Sequence, residues 1–188
     1  MGREGIIIGG GASGLMAAIS AAEAGASVTV LEHMPQPGKK LLSTGNGKCN
    51  LTNRFLDESC YRSQNPSFPM EVIGRFPVSR TLSFFRELGI LTDDKNGYVY
   101  PASNQARTVL NGLLGRAEEL NVRIVTDCPV SETGTEDGRL FAQTGRGRFF
   151  GDFLILAPGS KAAPKTGSDG SGYELARAFG HRILKPRP

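Results

Sequence analysis

The chain has 188 residues, 39% of them hydrophobic, and a formal net charge of +4, so it can bury a domain-sized core without being strongly basic. Because no stacking aromatic side chains are interleaved with the basic residues and no apolar run reaches about 18 residues, we expect neither a nucleic-acid partner nor a membrane span. Its three cysteines, Cys49, Cys60 and Cys128, have neither metal-site nor disulfide-framework spacing, which favours a metal-free protein of the reducing cytoplasm.

The first 32 residues contain the pattern strand, glycine turn, helix, strand and acid. Residues 6–8 form a short apolar run, residues 12–24 form a helix of small residues, and residues 28–31 form a second strand that ends in Glu32. At the turn and along the helix, small residues recur at fixed spacing: Gly9, Gly11, Gly14, Ala18 and Gly25. This order and spacing are typical of a βαβ dinucleotide-binding unit.

Each of these residue types has a physical role in such a unit. Gly9 permits the sharp turn, Gly11 permits close approach of a pyrophosphate to the backbone, and Gly14 allows the helix to lie close to the sheet. The helix N-terminus then faces the phosphates with free N–H groups, and Glu32 accepts the hydroxyls of an adenosine ribose. The alternative is a glycine-rich turn that binds no ligand.

A long polar loop over residues 37–53 follows the βαβ unit. A nicotinamide-binding domain would continue into another crossover helix here, whereas this loop has many Gly, Asn, Ser and Thr residues and few core residues. Loops of this length in compact domains are usually functional, so we expect it to line a second cofactor moiety such as a flavin ring. The alternative is a solvated surface loop.

The middle of the chain predicts helices and a hairpin. Residues 78–88 have an amphipathic helical pattern that stops at Gly89, and residues 90–100 predict a hairpin that turns at Asn96 and Gly97. Asn104 is expected to cap a helix that extends to about residue 120, before a strand at residues 122–125.

The last third of the chain predicts a meander followed by a return to the parallel sheet. Residues 127–151 predict three antiparallel strands, and the uniformly apolar residues 153–156 predict a buried parallel strand that ends in a turn at residues 157–159. This is the layout of flavin-binding disulfide-reductase-like folds. We therefore expect an α/β fold: a Rossmann-like core with a parallel sheet, a three-stranded antiparallel β-meander and a helical and hairpin insertion.

Three segments identify the chain with a known group of proteins. They are residues 38–53 (GKKLLSTGNGKCNLTN), 98–101 (YVYP) and 164–173 (PKTGSDGSGY), of which the first and third are long and specific. Through them the chain resembles bacterial NAD(P)/FAD-dependent oxidoreductases of the aminoacetone-oxidase type, some of which are 3-dehydro-bile-acid reductases. The resemblance implies that residues 1–188 are an FAD-binding domain, and that an inserted substrate domain and a C-terminal segment completing the FAD site lie outside them.

The resemblance also implies which residues hold FAD. The glycine turn would hold the pyrophosphate, Glu32 the adenosine ribose, residues 40–50 the ribityl chain and flavin ring, and the backbone of Val130 the adenine. Related folds usually have Ala-Thr-Gly where this chain has Pro158 in the middle, so contacts of the Thr hydroxyl and N–H are not expected here. The expected cofactor-binding residues are Gly9, Gly11, Ala12, Ser13, Gly14, Glu32, Lys40, Leu41, Thr44, Gly45, Asn50, Val130, Ala157, Pro158 and Gly159.

The expected activity is flavin-dependent oxidoreduction, in which FAD passes electrons between NAD(P)H and a small organic substrate or O₂. No residue is identified as a catalytic acid or base. Two other functions stay open: a non-catalytic fragment that binds an adenine dinucleotide, and an RNA-modifying flavoprotein that uses the basic residues of the loop. Two local alternatives also stay open. Cys49 is either a redox-active or a packed thiol, and residues 167–172 are either a loop that leads into a helix or a flap over the cofactor. His33 is expected near the ribose or adenine.

Overall fold

The computed structural model describes residues 2–62, 65–161 and 163–184. The chain divides into a first unit, Met1–Leu41 with Leu113–Pro188, and a second unit, Leu42–Gly112. Short 3₁₀ turns at residues 44–47, 58–60 and 164–166 accompany the helices and strands. In chain order these are β1 (Glu4–Ile8), α1 (Ala12–Glu23), β2 (Ser27–Leu31), α2 (Lys39–Ser43), β3 (Thr52–Asn53), α3 (Phe68–Arg75), α4 (Val78–Glu87), β4 (Thr92–Lys95), β5 (Tyr98–Pro101), α5 (Ala106–Glu119), β6 (Arg123–Val125), β7 (Val130–Glu136), β8 (Arg139–Thr144), β9 (Gly147–Gly151), β10 (Phe153–Leu156) and α6 (Gly172–Arg177).

Four parallel strands form the main sheet of the first unit, in the order β10-β1-β2-β6. Ile6 in β1 pairs with Leu154 on one side and with Thr29 on the other, and Val30 in β2 pairs with Ile124. The helix α1 connects β1 to β2 and lies against both strands and β10. The predicted βαβ unit is therefore confirmed.

The core of the first unit joins the parallel sheet to the meander and to α6. Along β1, Ile6 and Ile8 belong to one apolar cluster, and Ile7 between them is fully buried on the other face because side chains alternate along a strand. The half-buried Phe149 and Leu156 pack against this cluster. Its buried members are Ile6, Ile8, Leu31, Val125, Cys128, Ala142 and Leu175.

The meander is confirmed, whereas the predicted burial of the returning strand is wrong. β7, β8 and β9 form an antiparallel sheet in that order. β10 pairs in parallel with β1 as expected, but all four of its residues are only partly buried. The reason is that β10 is an edge strand of the sheet within the part of the chain that the structure describes, and an edge strand lacks a neighbour on one side.

The second unit contains the predicted helix and hairpin, in the sheet order β3-β5-β4. The hairpin turns at Asn96 and Gly97, both with positive φ (54° and 87°), and α4 ends just before Gly89. The prediction that Asn104 caps the next helix is wrong. Asn104 has φ 52°, its side chain bonds to Lys95 and to the backbone of Ala102, and α5 begins two residues later.

Candidate nucleotide-binding site

The glycine turn after β1 is packed so closely that two of its glycines have no room for a side chain. A Cβ on Gly14 would overlap the carbonyl oxygen of Gly9 and lie 3.0 Å from its carbonyl carbon. Gly9 has φ 105°, and a Cβ there would lie 2.7 Å from the carbonyl carbon of Ala157. These glycines therefore allow α1, β1 and the end of β10 to meet.

Gly11 has a different environment from the other two glycines of the turn. No heavy atom lies within 4 Å of the position that its Cβ would take, and its φ of −79° is accessible to any residue. Gly11 is the N-cap of α1, and no side chain caps this helix. The first N–H groups of α1 and the positive end of the helix dipole are therefore available to a ligand anion at this turn.

Glu32, at the end of β2, holds the turn through its carboxylate. Oε2 accepts a hydrogen bond from the N–H of Gly10 at 2.6 Å, and Oε1 accepts one from the N–H of Met34 at 2.8 Å. The residue is 6% exposed, and Nδ1 of His33 lies 3.3 Å from Oε1. Because a carboxylate oxygen can accept two hydrogen bonds, Oε2 keeps capacity for a hydroxyl of a bound sugar beside the N–H of Gly10.

A cavity of about 280 Å³ lies over the glycine turn and the start of α1. Its walls come from three parts of the first unit: the turn, the segment after β2, and the segment after β10. The predicted site residues that line it are Gly9, Gly11, Ala12, Ser13, Glu32, Lys40, Ala157, Pro158 and Gly159. Gly14 supports the turn from beneath, and Leu41 is buried.

Several lining residues were not among the predicted site residues. They are His33, Met34, Gln36, Gly38, Lys39, Thr166, Gly167 and Ser168. His33 was expected near the ribose or adenine. Met34 and Gln36 lie between β2 and the long loop of residues 37–53, and Gly38 and Lys39 lie at the start of that loop. Residues 166–168 lie at the cavity wall, and residues 167–171 lead into α6, as the alternative of a loop into a helix predicts.

A smaller side cavity of about 110 Å³ adjoins the first and shares Gly9, His33 and Pro158 with it. Val130, the residue predicted to meet adenine, lines it, and its apolar wall includes Ile8, Leu31, Cys128 and Leu175. Asp169 and Ser171 line its polar side. The N–H of Ser171 donates to Asp169 at 2.9 Å and, with the Ser171 hydroxyl and nearby His33, lowers the pKa of that carboxyl.

The remaining predicted residues, Thr44, Gly45 and Asn50, belong to the second unit. A Cβ on Gly45 would lie 3.1 Å from the backbone nitrogen of Asn50, so the two ends of this loop approach closely. The carbonyl of Thr44 accepts a hydrogen bond from the N–H of Cys49 at 3.1 Å. Burial raises the pKa of the Cys49 thiol, and a separate side-chain hydrogen bond with Thr44 lowers it to a smaller extent.

Burial of Cys49 favours a packed thiol over a redox-active one, because the thiolate is the reactive form. All three cysteines are free thiols. In the described residues no cluster of His, Cys, Asp and Glu could hold a metal ion. The same residues include no helix that is long and apolar enough to cross a bilayer.

The chain is similar to known proteins over nearly all of its length. A family model described as HI0933-like protein Rossmann domain matches residues 3–186. The chain is 45% identical to a 3-dehydro-bile acid delta(4,6)-reductase of Clostridium scindens over 179 residues, which are 94% of this chain and 44% of that protein. It is 30% identical to the ribosomal RNA dihydrouridine synthase of Escherichia coli over 190 residues, which are 98% of this chain and 46% of that protein.

These matches confirm the resemblance drawn from the sequence segments, and they show that the chain spans about half the length of these curated relatives. Among solved structures, the fold is similar to 3-ketosteroid-delta4-(5alpha)-dehydrogenase from Rhodococcus jostii RHA1, with a TM-score of 0.64 and 18% identity. That match covers 95% of this chain and 54% of the other. At this identity the likeness concerns the fold alone.

Proposed function

The chain belongs to the HI0933-like protein family through its Rossmann domain, and on this premise we propose that it is the FAD-binding part of an FAD-dependent oxidoreductase. The observation that carries the proposal is the pair of adjoining cavities over the glycine turn, with the Glu32 carboxylate between the turn and the end of β2. In FAD a pyrophosphate, a ribose and an adenine follow one another, and we propose that the first two occupy the larger cavity and that the adenine occupies the side cavity.

Each part of the adenosine diphosphate moiety has complementary chemistry in the first unit. The uncapped start of α1 at Gly11 favours the pyrophosphate, and the positive charges of Lys39 and Lys40 at the cavity wall add to this attraction. Glu32 accepts hydrogen bonds from the ribose hydroxyls and repels a 2′-phosphate. The apolar side cavity beside Val130 accommodates the adenine, with Asp169 at its polar side.

When bound, FAD supplies the electron-transfer chemistry, and the residues of this chain bind it and fix its orientation. We propose that Thr44, Gly45 and Asn50 meet the ribityl chain and flavin ring, which rests on the family resemblance of residues 38–53. The second unit supports this through the close approach of Gly45 to Asn50, which forms a tight backbone loop rather than an extended surface segment.

The electron donor that we propose is NAD(P)H, and the acceptor is a small organic substrate or O₂. Support comes from the 45% identity to a protein named as a 3-dehydro-bile acid reductase. A second candidate is an RNA substrate, which the 30% identity to a ribosomal RNA dihydrouridine synthase favours. The cytoplasmic location stays an expectation based on the free thiols.

Ligand titration of the purified protein tests the proposal. We expect saturable binding of FAD, seen as visible flavin absorption that remains with the protein, and competition by ADP, because the cavities of the first unit suit the adenosine diphosphate half. FMN lacks that half and should bind much more weakly. Equal affinity for FMN and FAD, or no competition by ADP, would contradict the site. Reduction of the bound flavin by NADH or NADPH, followed by reoxidation with O₂ or an enone, then tests the oxidoreductase activity.

The RNA alternative has its own signature. Binding that neutralises phosphates weakens steeply with salt concentration, because counterions are released. Salt-dependent binding of a ribosomal RNA fragment by the FAD-loaded protein would favour the second candidate over a small organic substrate.

A further inference from the structure

The second unit contains two adjoining cavities that the proposed cofactor site does not use. Their volumes are about 470 Å³ and about 410 Å³, and they share Arg54, Leu82 and Arg86, so they form one continuous groove along α4, here called the α4 groove. The first cavity extends past Leu91 toward β4, and the second extends toward the start of α4.

The helix α4 presents four residues of mixed chemistry to this groove. Ser79, Leu82, Ser83 and Arg86 are spaced by three, four and seven positions, which places them on one helix face. They all line the second cavity. Two hydroxyls and a guanidinium therefore surround one apolar side chain.

The two arginines of the groove carry positive charge in different settings. The Nε of Arg54 donates to the carboxylate of Asp94, and Asp94 also accepts from the N–H of Gly97 at 3.0 Å, so the guanidinium of Arg54 is held in place. These two donors lower the pKa of Asp94, with the N–H of Gly97 as the larger cause. Arg86, by contrast, has no carboxylate within ion-pair distance among the residues that the structure describes.

The two ends of the α4 groove differ in charge and polarity. The first cavity contains apolar wall from Ile90 and Leu91, and Leu91 is 74% exposed. It also contains Asp93, whose carboxylate lies 3.9 Å from Nζ of Lys95. The second cavity has no acidic residue in its wall. Because Arg86 lies in the last turn of α4, an anionic group is favoured beside Arg86 in the second cavity, and an apolar body is favoured over Leu91.

From this arrangement we infer that the α4 groove is a binding site for small amphipathic carboxylates. The carboxylate lies between the guanidinium groups of Arg54 and Arg86 and the hydroxyls of Ser79 and Ser83, since a guanidinium matches a carboxylate through two parallel hydrogen bonds. The apolar chain of the ligand covers Leu82 and Leu91 and removes their surfaces from water. This inference does not rest on the proposed function, because none of the residues that line the α4 groove belongs to the proposed cofactor site.

Binding of decanoate to the purified protein, below its micelle concentration, tests the inference by backbone amide NMR. We expect saturable shifts of amides in α4 and in residues 90–92. Arg86→Gln should weaken binding about tenfold, because it removes a charge-assisted hydrogen-bonding partner, and Leu91→Ser should weaken it by a smaller factor. Arg80→Gln is the matched control, since Arg80 lies on the same helix but lines neither cavity, and it should leave the affinity within about twofold.

Three further probes separate this ligand chemistry from others. Neutral decanamide should bind much more weakly than decanoate, and inorganic phosphate should bind weakly because it has no apolar body. An oligouridylate that binds more tightly than decanoate in an Arg86-dependent manner would replace the inference with an RNA-phosphate site. Equal binding of decanamide and decanoate, equal loss in Arg80→Gln and Arg86→Gln, or no shift with decanoate would each overturn it. FAD titration of the same samples reports the cofactor site separately.

Discussion

Replacing Gly11 by alanine should weaken cofactor binding and leave the fold intact. No heavy atom lies within 4 Å of the new Cβ, so the substitution meets no protein atom and instead places a methyl group in the cavity where the pyrophosphate is proposed to lie. The effect on binding is that of inserting a methyl group into a closely packed contact, which costs about 1–3 kcal/mol. We therefore expect FAD affinity to fall about tenfold to a hundredfold.

The effect of this substitution on stability has two opposing parts. A Gly to Ala change at an accessible φ stabilises a protein by about 0.4–1 kcal/mol through the unfolded state, whereas alanine is a poorer N-cap than glycine by roughly 1 kcal/mol. The two nearly cancel, so the free energy of unfolding should change by less than about 1 kcal/mol and the melting temperature by less than about 4 °C.

Gly14→Ala is the matched contrast, because it adds the same methyl group at a position without space. Its Cβ would overlap the carbonyl oxygen of Gly9, a backbone atom that no rotamer change can move. We expect the free energy of unfolding to fall by about 3 kcal/mol or more and the melting temperature to fall by roughly 6–12 °C.

Thermal denaturation and FAD titration calorimetry on both variants distinguish the two effects. The reasoning predicts a stable Gly11→Ala protein that binds FAD poorly and an unstable Gly14→Ala protein. Wild-type affinity in Gly11→Ala would refute the placement of the pyrophosphate at the start of α1. A large loss of stability in Gly11→Ala would refute the conclusion that the space beside this residue is open.

Three further predictions concern other parts of the chain. Glu32→Gln should lower the free energy of unfolding by about 3 kcal/mol in urea denaturation and weaken FAD binding, because an amide NH₂ must then face one of two backbone N–H donors. Glu132 is exposed, so Glu132→Gln is the control and should change neither quantity. An unchanged free energy of unfolding in Glu32→Gln would contradict the two hydrogen bonds to the carboxylate. Iodoacetamide should label exposed Cys60 first and Cys49 only on unfolding, since Cys49 is buried and the pKa of its thiol is raised. Mass spectrometry of tryptic peptides measures the order of labelling. Early labelling of Cys49 would support a redox role. The pKa of Asp94 is lowered in the folded state, so the stabilisation of the hairpin by its carboxylate is present above the unfolded pKa and is lost as pH falls through the folded pKa. An acid titration followed by NMR should therefore shift the amide signal of Gly97, which donates to this carboxylate. The shift should be absent in Asp94→Asn.

The sequence predicts well those site residues that belong to one short segment of the chain with a recognisable spacing. Gly9, Gly14 and Glu32 all lie within one βαβ unit, and each has a steric or hydrogen-bonding requirement that a particular residue type satisfies. The meander and the Asn96–Gly97 hairpin are predictable for the same reason, since their turns require positive φ at residues that tolerate it.

The features that sequence reasoning missed depend on contacts between distant segments or on competing local bonds. The uniformly apolar β10 predicts burial, yet only the strand order places it at an edge. Asn104 has the residue type of an N-cap, but its side chain bonds to Lys95 and Ala102 in a turn instead. The α4 groove requires Arg54 and Arg86 to meet across 32 positions, which no local pattern encodes.

Pro158 departs from the Ala-Thr-Gly pattern, and its packing role becomes visible only in the structure. In the sequence it replaces a threonine, and the expected consequence is the loss of a hydroxyl and an N–H near the cofactor. In the structure Pro158 lines both cavities, and its ring packs so closely on Gly172 that a Cβ there would lie 3.2 Å from Cδ. Gly172 begins α6, which carries Leu175 of the core and of the side cavity. The proline therefore packs against the start of α6 beside the proposed adenine site, a contact that the comparison with Ala-Thr-Gly does not reveal.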